Sequence, residues 1–371
     1  MEFRVPFVDM PARFRAMRSE LMSAIERVLS RGDLILRGDV EHFESRFSEF
    51  VGTKFAIGVG SGYDALFLAL KALGVSPSDE VITVSHTCIA TVSAIVNSGA
   101  TPVLVDVGDD GLMDIAEVER AVTSRTKVVI AVHLDGHPCD MQKLMTFALR
   151  HDLVVIEDVA QALGGKFDGH PLGSLGRVGT FSLYPFKMLG AFGDAGMVVT
   201  DDPEVARRVR VLRNYGRDND ENAYLFFGYN SRLDNLQAAV LEVMLPCLPT
   251  WIERRREIAG AYTRRLSDIP GLFLPPQRDS RFFSVHLNYV VRTSRRDRLR
   301  EHLTASGVET LISLAKPIHH HPALCLGRWA LPKTDEIART YLCLPIYPEL
   351  TDSQVQYVID SVRTFYLTQS G

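Results

Sequence analysis

Between Phe55 and Thr200, short apolar runs rich in β-branched residues alternate with amphipathic stretches of helical spacing. The strand candidates are FAIGVG, EVITVS, TPVLVDV, KVVIAVHL, LVVIEDV, GTFSLY and GMVVT; segments such as IATVSAIVNSG and MQKLMTFALRHD carry the helical pattern between them. Nearly continuous apolar strands separated by helical crossovers are the mark of a parallel sheet covered on both faces. The pattern therefore predicts an α/β fold with a mostly parallel central sheet.

After Ser231 the pattern changes. LDNLQAAVLEVMLPCLPTWIERRREIAGAYTRRL is helical apart from Pro246 and Pro249, where a kink or break is expected. Beyond it lie HLNYVVRT, a helical RRDRLREHLTASG and a closing helix, DSQVQYVIDSVRTFY. The sparser strands predict a smaller α+β domain. The expected division falls near Cys247, giving a large domain over 1–246 and a small one over 247–371.

Composition narrows the function class. The 371 residues are 46% hydrophobic and 23% charged, the balance of a folded globular protein. A net charge of -4 offers no basic field for nucleic acid. FAIGVGSGYDALFLALKAL is the richest apolar stretch, but Asp64 and Lys71 make it a poor membrane span. The start, MEFRVPFVDM, lacks a secretory pattern. Five scattered cysteines without a CxxC pair argue against disulfides or structural zinc and suit a reducing cytoplasm.

Three segments carry candidate chemistry. In GTFSLYPFKMLGAFGDAGMVVT, Lys187 stands in an apolar, glycine-rich loop after a strand ending at Ser182. A lone loop lysine is usually a surface residue; a desolvated one has a depressed pKa and is suited to forming a Schiff base. In LVVIEDVAQALGG, an apolar strand runs into Asp158, followed by Gln161. Asp158 could simply cap a turn. It could also place a carboxylate at the carboxyl edge of the sheet, where ligands collect, against the pyridine nitrogen of pyridoxal phosphate (PLP). In AIGVGSGYDALFLAL, a glycine-rich turn enters a helix whose free N–H groups suit a phosphate. Tyr63 stands where the dinucleotide fingerprint needs glycine, which weakens an NAD reading and leaves a cup of Gly62 and the Tyr63 N–H.

These segments, with LRNYG, GYNSRLDNLQAAVL, KPIHHHPA and LCLPIYPELT in register, resemble the DegT/DnrJ/EryC1/StrS sugar aminotransferases, PLP enzymes of the aspartate aminotransferase fold. The resemblance covers nearly the whole chain. It implies that Lys187 is the Schiff-base lysine, Asp158 the partner of the pyridine nitrogen, and Gln161 the amide reaching the ring hydroxyl. It implies phosphate contacts from Ser182, Gly62 and Tyr63, and substrate contacts from Tyr184 and His319. Asn230 matches an asparagine that reaches the partner subunit's cofactor phosphate, implying a homodimer with shared sites. The implied reaction moves an amino group, with L-glutamate as donor, to a nucleotide-linked keto-deoxysugar; GAFGDAG with NSRLDNLQAAVL favours a 3-keto over a 4-keto substrate.

Three positions depart from the family pattern. Tyr63 replaces a common threonine, Cys88 replaces an aromatic that stacks on the PLP ring, and Asp135 replaces a common tyrosine. Either Cys88 covers the ring weakly or His86 compensates. Same-fold dehydratases carry histidine in place of Lys187, which argues against that activity; a PLP-binding regulator without turnover is the other alternative. Consecutive His319, His320 and His321 cannot all face one point, so no metal site is expected there. His133, His137 and Cys139 are expected to be ordinary loop residues, and Arg254, Arg255 and Arg256 a solvated helix face with a lesser claim to a diphosphate.

Overall fold

A computed structural model describes residues 3–218 and 222–367. The central sheet contains β1 (Phe55–Val59), β2 (Glu80–Val84), β3 (Thr101–Val105), β4 (Thr126–Val132), β5 (Val154–Asp158), β6 (Val178–Ser182) and β7 (Gly196–Thr200). All seven fall on the strand segments expected from the apolar pattern. Their spatial order is β1-β7-β6-β5-β4-β2-β3. The β2, β3, β4, β5 and β6 pairings are parallel, whereas β7 runs antiparallel to both β1 and β6. Parallel strands deliver their carboxyl ends to one edge, and the chemistry gathers there.

Helix Gly62–Ala72 forms most of the richest apolar stretch, FAIGVGSGYDALFLALKAL. Ser61 caps it by accepting the Asp64 N–H at 3.1 Å. Its residues Ala65–Leu70 and Ala72 are buried, so hydrophobicity all round the helix reflects burial in a protein core. Among the described residues, no helix is long and apolar enough to cross a membrane.

The proline-marked break is present: helix Asn235–Met244 passes through a tight turn at Leu245–Cys247 into helix Leu248–Leu266. Along the second helix the core changes. Leu248 and Ile252 pack with the sheet, whereas Ile258, Tyr262 and Leu266 join a second core with Tyr289, Val291, Leu342 and Val358. Strands Tyr289–Arg292 and Tyr341–Leu344 pair antiparallel in this second region. Val5, far away in sequence, also belongs to that core and pairs with Val308.

The arginine triplet corrects the expectation of a solvated face. Arg255 is buried and donates to the carbonyls of Leu287 at 3.1 Å and Ile346 at 2.6 Å. Arg254 reaches Leu350 O and Asp352, and Arg256 reaches Ser284 O. The three guanidiniums tie down carbonyls of the adjoining chain.

Candidate active site

Asp158 closes β5 at the carboxyl edge and is buried. Its Oδ2 accepts the Thr91 hydroxyl at 2.8 Å, and its Oδ1 accepts the Ala160 N–H at 3.2 Å. The second contact is the turn cap that sequence alone allowed; the first is a tertiary contact from helix Ile89–Ser98. Burial raises the Asp158 pKa, against the opposing pull of Thr91, Ala160, Lys187 and His133.

Lys187 sits in a loop folded back on itself. Leu183 N–H donates to Ala195 O, Ala191 N–H to Leu183 O, and Lys187 N–H to Tyr184 O at 2.9 Å. Only glycine fits at 190, because a Cβ there would stand 2.1 Å from Pro185 O. Burial holds the Lys187 ammonium below the ordinary lysine range, while Asp158, Cys88 and Asp135 pull it back up.

The start of helix Gly62–Ala72 abuts the end of β6. A Cβ on Gly62 would lie 2.5 Å from Ser182 Cβ, so glycine permits this close approach. The Tyr63 hydroxyl accepts from Asn97 Nδ2 at 2.8 Å, and its ring stacks on Phe67. Its side chain is thus engaged elsewhere, and the main-chain N–H is what residue 63 offers a phosphate. Helix-start N–H groups beside the Ser182 hydroxyl are donors of the kind that suit an anion.

Gln161 Oε1 accepts the Asp135 N–H at 2.8 Å, which leaves the amide NH₂ as its donor. Asp135 itself is buried, with φ at 56°. Its Oδ1 accepts from Asn288 Nδ2 and from the Tyr341 hydroxyl, both at 2.7 Å. Burial pushes its carboxyl up to about 6, with Asn288, Tyr341 and Lys187 opposing. Beside it, a cavity of about 40 Å³ is lined by His86, His137, Arg292 and Tyr341. His86 is buried edge-on to Tyr341, whereas Cys88 is exposed at the start of helix Ile89–Ser98.

The remaining sequence candidates lie around this centre. Tyr184 and Asn230 are exposed. Asn230 is held by a bridge to Asn214 and follows an exposed apolar run, Tyr224–Phe227. His319 is buried, its Nδ1 lying 2.8 Å from Ser85 Oγ just beyond β2. His133 and Cys139 are structural: Cys139 N–H donates to His133 Nδ1, leaving Nε2–H for buried Glu157 at 3.0 Å. His137 lies 2.9 Å from Ser284 Oγ.

Thr91, Asn288 and Tyr341 escaped sequence reasoning. Thr91 is the third residue of IATVSAIVNSG and reads there as an ordinary helix residue. Asn288 and Tyr341 reach the site from the smaller region, and no local signal marks them. The donor set fits PLP: an anion cup, a buried carboxylate and a desolvated lysine converge on the carboxyl edge.

A family model for the DegT/DnrJ/EryC1/StrS aminotransferases matches residues 15–363. The chain belongs to this family. A dTDP-3-amino-3,4,6-trideoxy-alpha-D-glucose transaminase from Streptomyces venezuelae is 45% identical over 364 residues, or 97% of this chain and 96% of that protein. The crystal structure of DesV from S. venezuelae matches with TM-score 0.95 at 45% identity, covering 98% of each chain. NtdA from Bacillus subtilis, solved with bound cofactor PMP, matches with TM-score 0.89 at 28% identity, covering 95% of this chain and 82% of that one. As a member of the DegT/DnrJ/EryC1/StrS family, the chain is a PLP-dependent sugar aminotransferase of the aspartate aminotransferase fold.

Proposed function

We propose that the enzyme transfers an amino group from L-glutamate to the C3 ketone of a nucleotide-linked deoxysugar. The observation that carries this reading is the 45% identity, over 97% of the chain, to a transaminase named for a 3-amino sugar nucleotide. The arrangement of Lys187, Asp158 and Asp135 supports turnover over a purely regulatory role: a binding-only protein has no use for a desolvated base.

PLP supplies an electron sink for the substrate carbon that loses its proton. The chain's own residues do the rest. Lys187, with its lowered pKa, carries the proton to and from that carbon as general base and acid. Asp158, oriented by the Thr91 hydroxyl, would keep a proton on the pyridine nitrogen. Gln161, with its carbonyl taken by Asp135 N–H, would offer its NH₂ to the ring hydroxyl. Gly62, Tyr63 and Ser182 would hold the phosphate, Cys88 or His86 would lie against the ring, and Tyr184 would contact the sugar, with His319 near the mouth of its site. The exposed Asn230 beside the apolar Tyr224–Phe227 run supports a homodimer in which each chain's Asn230 serves the other's phosphate.

The test is a panel of 3-keto and 4-keto sugar nucleotides, each incubated with glutamate and followed by mass spectrometry. Amination of the 3-keto compounds is expected. Amination of 4-keto sugars alone, or failure of glutamate where another donor succeeds, would overturn the corresponding half of the proposal.

A further inference from the structure

Three side chains outside the cofactor site converge on one point. His319 and His320 share the short turn Ile318–His320, their ring centroids 4.1 Å apart, and Asp335 reaches them from helix Pro332–Thr340. One ligand atom from each residue lies within 4.8 Å of the other two. His320 Nε2 is 2.7 Å from Asp335 Oδ1, and His319 Nε2 is 3.4 Å from the same oxygen.

His319 Nε2 is the informative atom. It is buried, on a residue only 2% exposed, and has no hydrogen-bond partner among the described residues. If His319 gives its Nδ1–H to Ser85 Oγ at 2.8 Å, the Nε2 lone pair points at a carboxylate, which is repulsive. If the proton sits on Nε2 instead, it lacks the geometry to bond Asp335. Neither tautomer satisfies this nitrogen; a cation between the three groups does. Fixing the tautomer through the other ring nitrogen is how metal-binding histidines are held.

The frame is rigid. Asp106, just past β3, accepts the N–H groups of Lys333 at 2.9 Å and Thr334 at 2.8 Å, and the Thr334 hydroxyl at 2.7 Å. Those bonds fix the first turn of the helix bearing Asp335. Ile318 and Leu331 pack with Val92 and Leu104, fixing the turn that bears the histidines.

We propose that His319 Nε2, His320 Nε2 and an Asp335 carboxylate oxygen bind a divalent cation of the zinc class, clasping the Ile318–His320 turn to helix Pro332–Thr340. Two imidazoles and a carboxylate suit a borderline ion such as Zn²⁺ and leave a fourth position open. With bonds of about 2.0–2.2 Å, tetrahedral ligand atoms stand roughly 3.3 Å apart. The His319–Asp335 pair is already at that spacing, and His320 would move out from its 2.7 Å hydrogen bond to reach it. The sequence reading weighed only three neighbouring histidines, whereas the third ligand in this proposal is an aspartate fifteen positions beyond His320.

The test uses PLP-loaded enzyme stripped with a chelator, then titrated with zinc against a chromophoric competitor. Elemental analysis after gel filtration counts bound metal. About one zinc per chain is expected. His320→Ala and Asp335→Asn should each weaken binding at least tenfold, and Ser85→Ala about tenfold, the lower end for removing a group that orients a ligand. His320 is exposed, so its variant tests the site without threatening the fold. Substoichiometric zinc in the wild type, or undiminished affinity in His320→Ala, would overturn the assignment.

Discussion

The Thr91 hydroxyl donates to Asp158 Oδ2 at 2.8 Å, linking the helix after β2 to the acid that ends β5. Asp158→Asn keeps the size of the side chain but cannot hold a proton on the pyridine nitrogen. Turnover should fall by orders of magnitude while the protein stays folded. Thr91→Val leaves the acid in place and removes one hydrogen bond to a charged group, worth about 1.5–3 kcal/mol. A loss of roughly tenfold or more in kcat is expected, since 1.4 kcal/mol is a factor of ten. Full activity in Asp158→Asn would reduce this residue to a turn cap.

Burial holds the Lys187 pKa down, against the pull of Asp158, Cys88 and Asp135. Borohydride reduction of the holoenzyme should therefore leave the pyridoxyl group on the peptide containing Lys187. Lys187→Ala should lose turnover yet still bind PLP through the phosphate cup and Asp158. Peptide mapping that finds the label on any other lysine sinks the assignment.

Much of this site was legible because its residues stand at strand ends. Apolar runs mark β5 and β6 in the sequence; that the two strands pair in parallel, bringing Asp158 and Ser182 to one edge, is seen only in the structure. Lys187 announced itself by being a cation among glycines and apolar residues. What could not be read was the contribution of the smaller region. Asn288 and Tyr341 bond Asp135 across 153 and 206 positions of chain. Such distant pairings leave no periodic trace. The buried Arg255 was hidden for a related reason: a guanidinium that satisfies distant carbonyls looks, locally, like one that faces water.

Asp135 supplies a pH signature. Its carboxyl has an ordinary value of 3.8 and is raised to about 6, chiefly by burial. The unfolded chain ionises it at lower pH than the folded protein does. Its contribution to stability is therefore present below about pH 4 and lost as pH rises through about 6. Asp135→Asn retains an oxygen for Asn288 and Tyr341 but does not ionise. The variant should gain stability relative to wild type between those two values. The gain approaches about 3 kcal/mol, from 1.36 kcal/mol per pKa unit. Denaturant unfolding across that range checks it; a difference that stays flat with pH contradicts a buried, titrating Asp135.

The shared-site arrangement can be tested by complementation. If each Asn230 serves the neighbouring chain's phosphate, Lys187→Ala and Asn230→Ala damage opposite contributions to every site. Lys187→Ala homodimers should be inactive. Asn230→Ala homodimers should be weak when PLP is limiting, because a hydrogen bond to charged phosphate is worth about 1.5–3 kcal/mol. In a mixed dimer, one site carries both defects, and the other combines an intact Lys187 with an intact Asn230. Random reassortment of equal amounts makes half of the dimers mixed, so one quarter of all sites is restored. Activity at low PLP should rise after co-refolding, above the mean of the two separate variants. Should verified mixed dimers show no such gain, Asn230 serves its own chain, and the exposed Tyr224–Phe227 run beside it loses its link to the active site.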